Sequence, residues 1–261
     1  MRRTLVHVAV ERYAMRLAEV TRGFLAQPEW HGVSAIVLGG GFVESRFGGL
    51  AIRRTACLLA QDGAGVTLRI LQHDADEAGL LGWVHLLPQG LHDAHEAFLA
   101  VDVGGTNLRC GIIEHGLRDA PDGSAARVLE HMQWRHVEDE PRRDEAVLRL
   151  AGMLNGLAAQ ARTLGIGLAP FIGIACPGMM QPDGRIAHGA QNLPGDWESP
   201  FSLPEALDAR LDAIGGERAS VVMHNDAVVQ GLSERARMQG ARRWAVLTIG
   251  TGLGNASYTT G

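Results

Sequence analysis

Long uninterrupted apolar runs are missing from this sequence of 261 residues. No stretch approaches the roughly 20 consecutive apolar residues that a membrane-spanning helix requires. The charged residues Arg2, Arg3, Glu11 and Arg12 prevent an apolar signal-peptide core from developing near the start. The sequence therefore predicts a cytoplasmic protein that does not associate with membranes.

Cysteine is scarce, and no charge of one sign dominates. Cys57, Cys110 and Cys176 lie far apart in apolar surroundings and form no Cys-x-x-Cys pair, which predicts buried, reduced thiols. The net charge of −5 argues against a nucleic-acid surface, although it leaves room for an anionic nucleotide bound locally. The remaining composition, with 46% hydrophobic and 20% charged residues, is typical of a soluble globular protein of one large or two smaller domains.

The apolar residues follow helical and strand periods. In the first ninety residues they predict a helix, a strand, a helix, a strand and a helix, which is the order of a parallel α/β layer. The approximate ranges are 6–24, 35–38, 50–60, 66–71 and 75–87. Later residues predict a strand hairpin, a third strand, and then alternating helices and strands. Those ranges are 98–113, 127–134, 147–164, 171–175, 204–211, 221–223 and 227–238, with a last strand that starts at 244.

The hairpin at 98–113 has a turn of unusual composition. Asp102 stands near the end of the first strand, and Gly104-Gly105-Thr106-Asn107 forms the turn. Because glycine has no side chain, the backbone N–H groups of such a turn can approach an anion closely, and phosphate is the usual one. The plain alternative is an ordinary glycine hairpin turn beside a solvated Asp102.

Three other segments could bind a ligand. Asn225 and Asp226 lie where a predicted strand passes into a helix; open α/β sheets bind ligands at that edge, but Asn and Asp are also ordinary helix caps. The turn at 250–254 separates two predicted strands and is not followed by a Gly-x-Gly-x-x-Gly helix, so it is not a dinucleotide fingerprint. The glycines at 39–41 permit the approach of a flat ligand, or serve as a plain turn.

These motifs together resemble a known family. Asp102-Val-Gly-Gly-Thr-Asn107 at a hairpin tip resembles the first phosphate loop of the sugar kinase, heat-shock and actin superfamily, and is most similar to that of the ROK family of sugar kinases and sugar-responsive repressors. His224-Asn-Asp-Ala227 resembles the Asn-Asp segment of ROK kinases, and the turn at 250–254 resembles their second phosphate loop. Ile36-Val-Leu-Gly-Gly-Gly41, with the later Glu77-Ala-Gly-Leu-Leu-Gly82, is similar to their adenosine-binding end.

The resemblance implies an α/β fold of the actin-like, ribonuclease-H-like type, with two lobes and mixed sheets. The expected parts are an adenosine-side segment at 1–92, a catalytic lobe with the first phosphate loop at 98–240, and a second phosphate hairpin at 241–261. The order is rotated, because the segment that closes ROK chains stands first here. A circular permutation explains this order, and the second lobe is expected to be incomplete by a strand and at least one helix.

The resemblance also implies a site that holds ATP and Mg²⁺. Asp102 would orient Mg²⁺ through water, and Asp226 would be the catalytic base that accepts the proton of the attacking sugar hydroxyl. Asn192 and Asn225 would contact the sugar together with Asp226. The residues expected at the nucleotide are Asp102, Gly104, Gly105, Thr106, Asn107, Gly250, Thr251, Gly252, Gly254, Gly39, Gly40 and Gly41.

Two features of the family are missing from the sequence: the Glu-x-Gly-His sugar motif and the cysteine-rich zinc motif, so no structural zinc is expected. The leading hypothesis is an ATP-dependent kinase that phosphorylates a hexose or amino-hexose hydroxyl. The alternative is a non-catalytic ROK-like protein that binds nucleotide or sugar and regulates another process; a third option is an ATPase-like scaffold. A DNA-binding repressor is disfavoured, because the strand at 35–38 leaves no helix-turn-helix. The expected partners are a sugar and a nucleotide, with a homodimer left open.

Overall fold

The computed structural model describes residues 2–260 as an α/β protein with mixed sheets. The helices are α1 (Arg2–Leu25), α2 (Gly41–Glu44), α3 (Arg46–Gln61), α4 (Ala75–Leu81), α5 (Leu91–Ala94), α6 (Arg143–Leu164), α7 (Leu203–Asp208) and α8 (Asp226–Leu232). The strands are β1 (Ala35–Gly39), β2 (Thr67–Ile70), β3 (Ala97–Val103), β4 (Leu108–Glu114), β5 (Arg127–Trp134), β6 (Leu168–Cys176), β7 (Met179–Met180), β8 (Ile186–His188), β9 (Ser220–Asn225), β10 (Arg243–Ile249) and β11 (Leu253–Thr259). Short 3-10 turns occupy Pro28–Trp30, Gly82–His85, His136–Glu138 and Arg235–Met238.

The chain divides into two compact units. One is continuous in sequence, Asp76–Ala236, and is called the continuous unit here. The other combines Met1–Ala75 with Arg237–Gly261 and is called the split unit. The hairpin segment at 241–261 lies in the same unit as the first 75 residues.

The continuous unit is built on a five-stranded sheet in the order β5-β4-β3-β6-β9. β3, β4 and β5 pair antiparallel, while β6 lies parallel to β3 and β9 lies parallel to β6. Three antiparallel strands followed by two parallel ones, with helices between the parallel strands, is the arrangement expected of one actin-like lobe. The predicted fold class is confirmed by this topology.

The helix α6 covers one face of this sheet because its apolar residues recur at helical spacing. Five of the six predicted positions are buried, and the last, Leu164, is exposed; the buried ones are Val147, Leu150, Leu154, Leu157 and Ala161. The helix begins where the Glu145 side chain accepts a hydrogen bond from the backbone N–H of Arg142 at 2.8 Å, and it ends at Gly165 with a left-handed φ of 72°.

The opposite face of the sheet is covered by α4 and the turn at Gly82–His85, which corrects the predicted boundary at residue 92. Leu80 and Trp83 are fully buried against Phe98 and Phe171 of the sheet. The Trp83 ring approaches the sheet at Gly173, where a Cβ would lie only 2.2 Å from the ring. The boundary therefore falls at residue 75, because the apolar residues that follow it belong to the core of the continuous unit.

His85, at the end of that turn, gives the continuous unit a predicted acid sensitivity. Burial, assisted by the nearby charge of Arg235, lowers the pKa of His85 from 6.5 to about 4. Between these two values the unfolded chain binds a proton that the folded chain does not, so stability falls as the pH drops through this window. The wild type should therefore lose unfolding free energy between pH 7 and pH 4.5. We expect His85→Gln to lose about 1–2 kcal/mol less than the wild type over the same range.

Urea denaturation at a series of pH values measures this effect. His131→Gln is the matched control, because it makes the same replacement at a histidine that is exposed on β5. Equal pH dependence in His85→Gln and the wild type would contradict the assignment.

The split unit has a four-stranded sheet in the order β11-β10-β1-β2. β10 and β11 form an antiparallel hairpin, and β1 lies parallel to both β10 and β2. This repeats the order of the continuous unit without its outermost antiparallel strand, in the part of the chain that the structure describes. The parallel partner of the hairpin comes from residues 35–39.

The helices α1 and α3 pack together in this unit. The Thr55 hydroxyl donates to the carbonyl of Ala14 at 3.3 Å, and Arg54 forms a two-bond ion pair with Glu11 at 2.7 and 2.8 Å. On α3, Cys57 is exposed, which corrects the prediction that all three thiols are buried; Cys110 and Cys176 are buried.

No helix within residues 2–260 combines the length and apolar character needed to cross a bilayer.

Candidate functional site

The turn at 104–107 joins β3 to β4 in the continuous unit. Val103 pairs with Leu108, and inside that pair the Gly104 N–H donates to the Asn107 carbonyl at 2.9 Å. Outside the turn, the His136 ring nitrogen Nε2 donates to the Gly104 carbonyl at 2.8 Å. The turn is thus closed internally and attached from outside to the 3-10 turn that follows β5.

Asp102 lies just before this turn and is almost completely buried. Its neighbour across the hairpin is Arg109, whose Nη1 donates to Oδ2 of Asp102 at 3.3 Å and which also forms an ion pair with Asp76 of α4. The helix α4 contacts Asp102 through Gly79, where a Cβ would lie 2.7 Å from the carboxylate carbon. Only glycine leaves room for the carboxylate at this contact.

The electrostatics of Asp102 are dominated by burial, which raises its pKa to about 7. The Arg109 guanidinium opposes this rise, while the charge of Asp226 adds to it. Two carboxylates are therefore near neighbours, and one arginine does not fully compensate for them. The Cys176 thiol is fully buried, and burial is the main reason that its pKa is raised. The charges of Asp226 and Asp102 raise it further.

Asn225 and Asp226 have different roles at the start of α8. The Asn225 Oδ1 accepts the backbone N–H groups of Ala227 at 3.0 Å and Val228 at 3.3 Å, while its Nδ2 donates to the carbonyl of Gly178 at 2.9 Å. The helix-cap interpretation therefore applies to Asn225. Asp226 is the first helical residue; its Oδ1 accepts the N–H of Ala227 at 2.8 Å, and burial raises its pKa despite this bond.

Strand register explains why these groups meet. Asp102 on β3 is level with Ala175 on β6, and Ala175 is level with His224 on β9. Register partners share one face of a sheet, so Asp102 and His224 lie on the same face with a small alanine between them. Asp226 follows two residues later, at the edge of the parallel strands where open α/β sheets bind ligands.

The glycines of the split unit meet each other in the same way. Gly39 is level with Thr248 on the parallel strand β10, and Gly40 has a left-handed φ of 87°. A Cβ on Gly40 would lie 2.5 Å from the Ile249 carbonyl oxygen, so the two backbones touch. The glycine run at 39–41 and the turn that starts at Gly250 therefore lie side by side at the ends of two neighbouring strands.

Solved structures that match part of this chain include a ROK family glucokinase from Streptomyces griseus in complex with glucose and AMPPNP (21% identity, TM-score 0.46, 63% of this chain and 45% of that one). A second is an inorganic polyphosphate/ATP-glucomannokinase from Arthrobacter sp. strain KM (24% identity, TM-score 0.45, 63% of this chain and 58% of that one). A third is a glucokinase from Balamuthia mandrillaris in complex with glucose (17% identity, TM-score 0.39, 72% of this chain and 50% of that one). The chain is similar to ROK family sugar kinases over part of its length. It spans about half the length of these structures. No protein-family model and no curated protein matches it.

The ROK resemblance assigns Asn192 to the sugar. This residue is exposed in the loop between β8 and α7. Asn107, by contrast, is held in the first turn, and its side-chain oxygen Oδ1 is buried without a hydrogen-bond partner among the described residues. A buried acceptor of this kind calls for a donor from water or a ligand.

Four residues that contact this site were not predicted from the ROK motifs. Arg109 could have been found, because a four-residue turn at 104–107 makes it the strand partner of Asp102. Gly79 and His224 lie in segments that carry the resemblance, but it gave them no role at this site, and His136 had no signal. The Nδ1 of His224 accepts the backbone N–H of Asn225 at 2.8 Å, and burial lowers the pKa of His224, which favours the neutral ring.

Proposed function

We propose that the chain catalyses ATP-dependent phosphorylation of a hexose or amino-hexose hydroxyl, with Asp226 as the general base. The observation that carries this proposal is the pair of neighbouring carboxylates, buried Asp102 and half-buried Asp226, at the edge of the parallel strands in the continuous unit beside a glycine-rich turn. Phosphoryl transfer depends mainly on positioning and charge neutralisation, and an acidic pair beside a phosphate-type turn provides groups for both.

In the proposed reaction, Asp226 accepts the proton of the attacking sugar hydroxyl. The hydroxyl oxygen forms a bond to the γ-phosphorus as the bond from that phosphorus to the β-phosphate oxygen breaks, and ADP leaves. The hydrogen bond from Ala227 fixes one carboxylate oxygen of Asp226. Burial raises its pKa, which makes it a stronger base than an exposed aspartate.

The residues present also fit Mg²⁺. Within residues 2–260 no group of three or more His, Cys, Asp and Glu side chains is placed to hold a metal, and Mg²⁺ typically uses one or two carboxylates together with phosphates and water. We assign Asp102 to this ion. Burial and the charge of Asp226 both raise the pKa of this carboxylate. When bound, the ion would neutralise charge on the ATP phosphates.

The remaining assignments divide between the two ligands. In this proposal the turn at 104–107 contributes backbone N–H groups to the ATP phosphates. Asn225 and Asn192 contact sugar hydroxyls. For Asn225 the available group is the second Nδ2 hydrogen, because Oδ1 is already used by the helix cap.

A coupled assay of ATP turnover with a panel of hexoses and amino-hexoses tests this proposal. We expect turnover that depends on one of these sugars. Turnover without any sugar would instead support an ATPase-like scaffold. Binding of nucleotide or sugar without turnover would support a regulatory protein, and either result would overturn the kinase proposal.

A further inference from the structure

The turn at 104–107 has two carbonyls held by consecutive residues outside it. The Nε2 of His136 donates to the Gly104 carbonyl at 2.8 Å, and the backbone N–H of Val137 donates to the Thr106 carbonyl at 3.4 Å. Because a carbonyl only accepts, Nε2 of His136 must carry the proton. Both carbonyls therefore face the same 3-10 turn.

This arrangement fixes the direction of two N–H groups. In a trans peptide the N–H of one residue points opposite to the carbonyl of the residue before it. The one cis bond in the described part of the chain is Ser199-Pro200, so the peptides of this turn are trans. With the carbonyls of Gly104 and Thr106 directed toward His136 and Val137, the N–H groups of Gly105 and Asn107 point to the other side.

Two N–H groups on one side of a tight turn form a concave anion site. The N–H of Gly104 is used within the turn, where it donates to the Asn107 carbonyl. The side chain of Asn107 places its partnerless, buried Oδ1 in the same turn, which offers an acceptor to a water or ligand hydroxyl. The turn therefore has two directed donors and one acceptor without a partner among the described residues.

His136 itself is held rigidly. It is 4% exposed, and its ring packs edge-on against Trp134 with centroids 5.9 Å apart at 66°. The Trp134 Nε1 donates to Asp139 at 2.7 Å, and the Arg149 guanidinium lies 4.5 Å from the centre of the Trp134 ring. The imidazole therefore has little freedom to leave the Gly104 carbonyl.

We propose that His136 is a positioning residue that orients the first phosphate turn as a two-donor anion site, without touching the ligand itself. The inference rests on the proposed function, because it assigns ATP phosphate to this turn. A replacement that cannot donate would release the Gly104 carbonyl and let the Gly104–Gly105 peptide rotate. Binding of the phosphates would then weaken, whereas contacts to the adenosine part would be unaffected.

Calorimetric titration of the full chain with ATP and with adenosine tests this inference. For His136→Phe we expect the Kd for ATP to rise about 10-fold to 100-fold, the range of a lost charge-assisted hydrogen bond, and the Kd for adenosine to change less than about twofold. His136→Gln keeps a side-chain N–H and should recover most of the ATP affinity.

The matched control is His115→Phe. His115 is also buried, and its Nε2 hydrogen bonds to the His95 carbonyl at the same 2.8 Å, but away from the turn. This variant should lose thermal stability comparably and keep its ATP affinity. The inference is overturned if His136→Phe binds ATP like the wild type, if it loses ATP and adenosine equally, or if His115→Phe shows the same loss. If the wild type itself binds no ATP, the proposed function fails as well.

Discussion

Replacing Asp226 by Asn is expected to lower kcat for sugar phosphorylation by about 10²-fold to 10⁴-fold, the usual contribution of a general base. The amide cannot accept the hydroxyl proton, but it keeps the size of the carboxylate and can still accept the N–H of Ala227. Nucleotide affinity should change less than about threefold, because the substitution removes no proposed contact with ATP. Steady-state kinetics give kcat, and calorimetric titration with ATP gives the affinity.

The Asp226→Asn variant should also fold normally. Asp226 raises the pKa of Asp102 through its charge, so its neutralisation removes the repulsion between two neighbouring carboxylates. Asp144→Asn is the control, because Asp144 occupies the first turn of α6 and is exposed. A variant that stays active, or a control that loses activity equally, would remove Asp226 from the proposed mechanism.

Replacing Gly82 by Ala is expected to lower the free energy of unfolding by about 3–5 kcal/mol, at or beyond the upper end of overpacking costs. A Cβ at this position would lie 1.8 Å from the carbonyl oxygen of Val229 and 2.7 Å from its carbonyl carbon. The neighbouring Trp83 is fully buried against the sheet, so the turn cannot retreat. Urea denaturation and thermal melting measure the loss.

Gly152→Ala provides a control of opposite sign. Gly152 is exposed in α6, and a Cβ there would meet no atom within 4 Å. Alanine favours the helix, so this variant should gain about 0.5–1 kcal/mol. If Gly82→Ala were as stable as the wild type, the close contact between the turn and α8 would be wrong. Because α8 begins with Asp226, we also expect Gly82→Ala to reduce turnover.

The parts of the fold that could be predicted from sequence depend on local patterns. Alternation and turn composition located the hairpins at 98–113 and 244–258, and helical spacing located α6 with five buried positions. The partner of a strand is harder to predict, and the periods alone do not show that residues 35–39 pair with the second hairpin. β1 and β10 lie side by side in the centre of their sheet, and both carry a buried, mostly apolar run.

The prediction of the α4 region was less successful. The segment from Glu77 to Gly82 was grouped with the first 75 residues, because a family resemblance does not reveal which sheet a helix covers. In the structure its glycines fit against Asp102 and Val229, and those contacts depend on three-dimensional proximity across more than twenty residues of sequence. The same reasoning applies to His136, whose role depends on a carbonyl that lies 32 positions earlier in the chain.

The candidate site also has a part that local sequence predicts and a part that depends on the fold. The acidic residues and glycine turns had signals in the sequence, and their roles stay predictions. The protonation and the hydrogen bonding of these groups had no such signal. Burial causes the raised pKa of Asp102, and helix geometry makes Asn225, rather than Asp226, the cap. A sequence cannot distinguish these two neighbours, because Asn and Asp cap helices equally well.

The pairing of β1 with β10 has a consequence for biosynthesis. Ala35 lies level with Trp244, so this parallel pair cannot form until the ribosome has added more than two hundred further residues. The continuous unit needs no such distant segment and can complete its sheet earlier in translation. β2 can pair with one edge of β1 early, but the edge that pairs with β10 has no partner throughout that interval. All five residues of β1 are buried in the finished protein. Chaperone demand should therefore be greatest just before the last hairpin emerges.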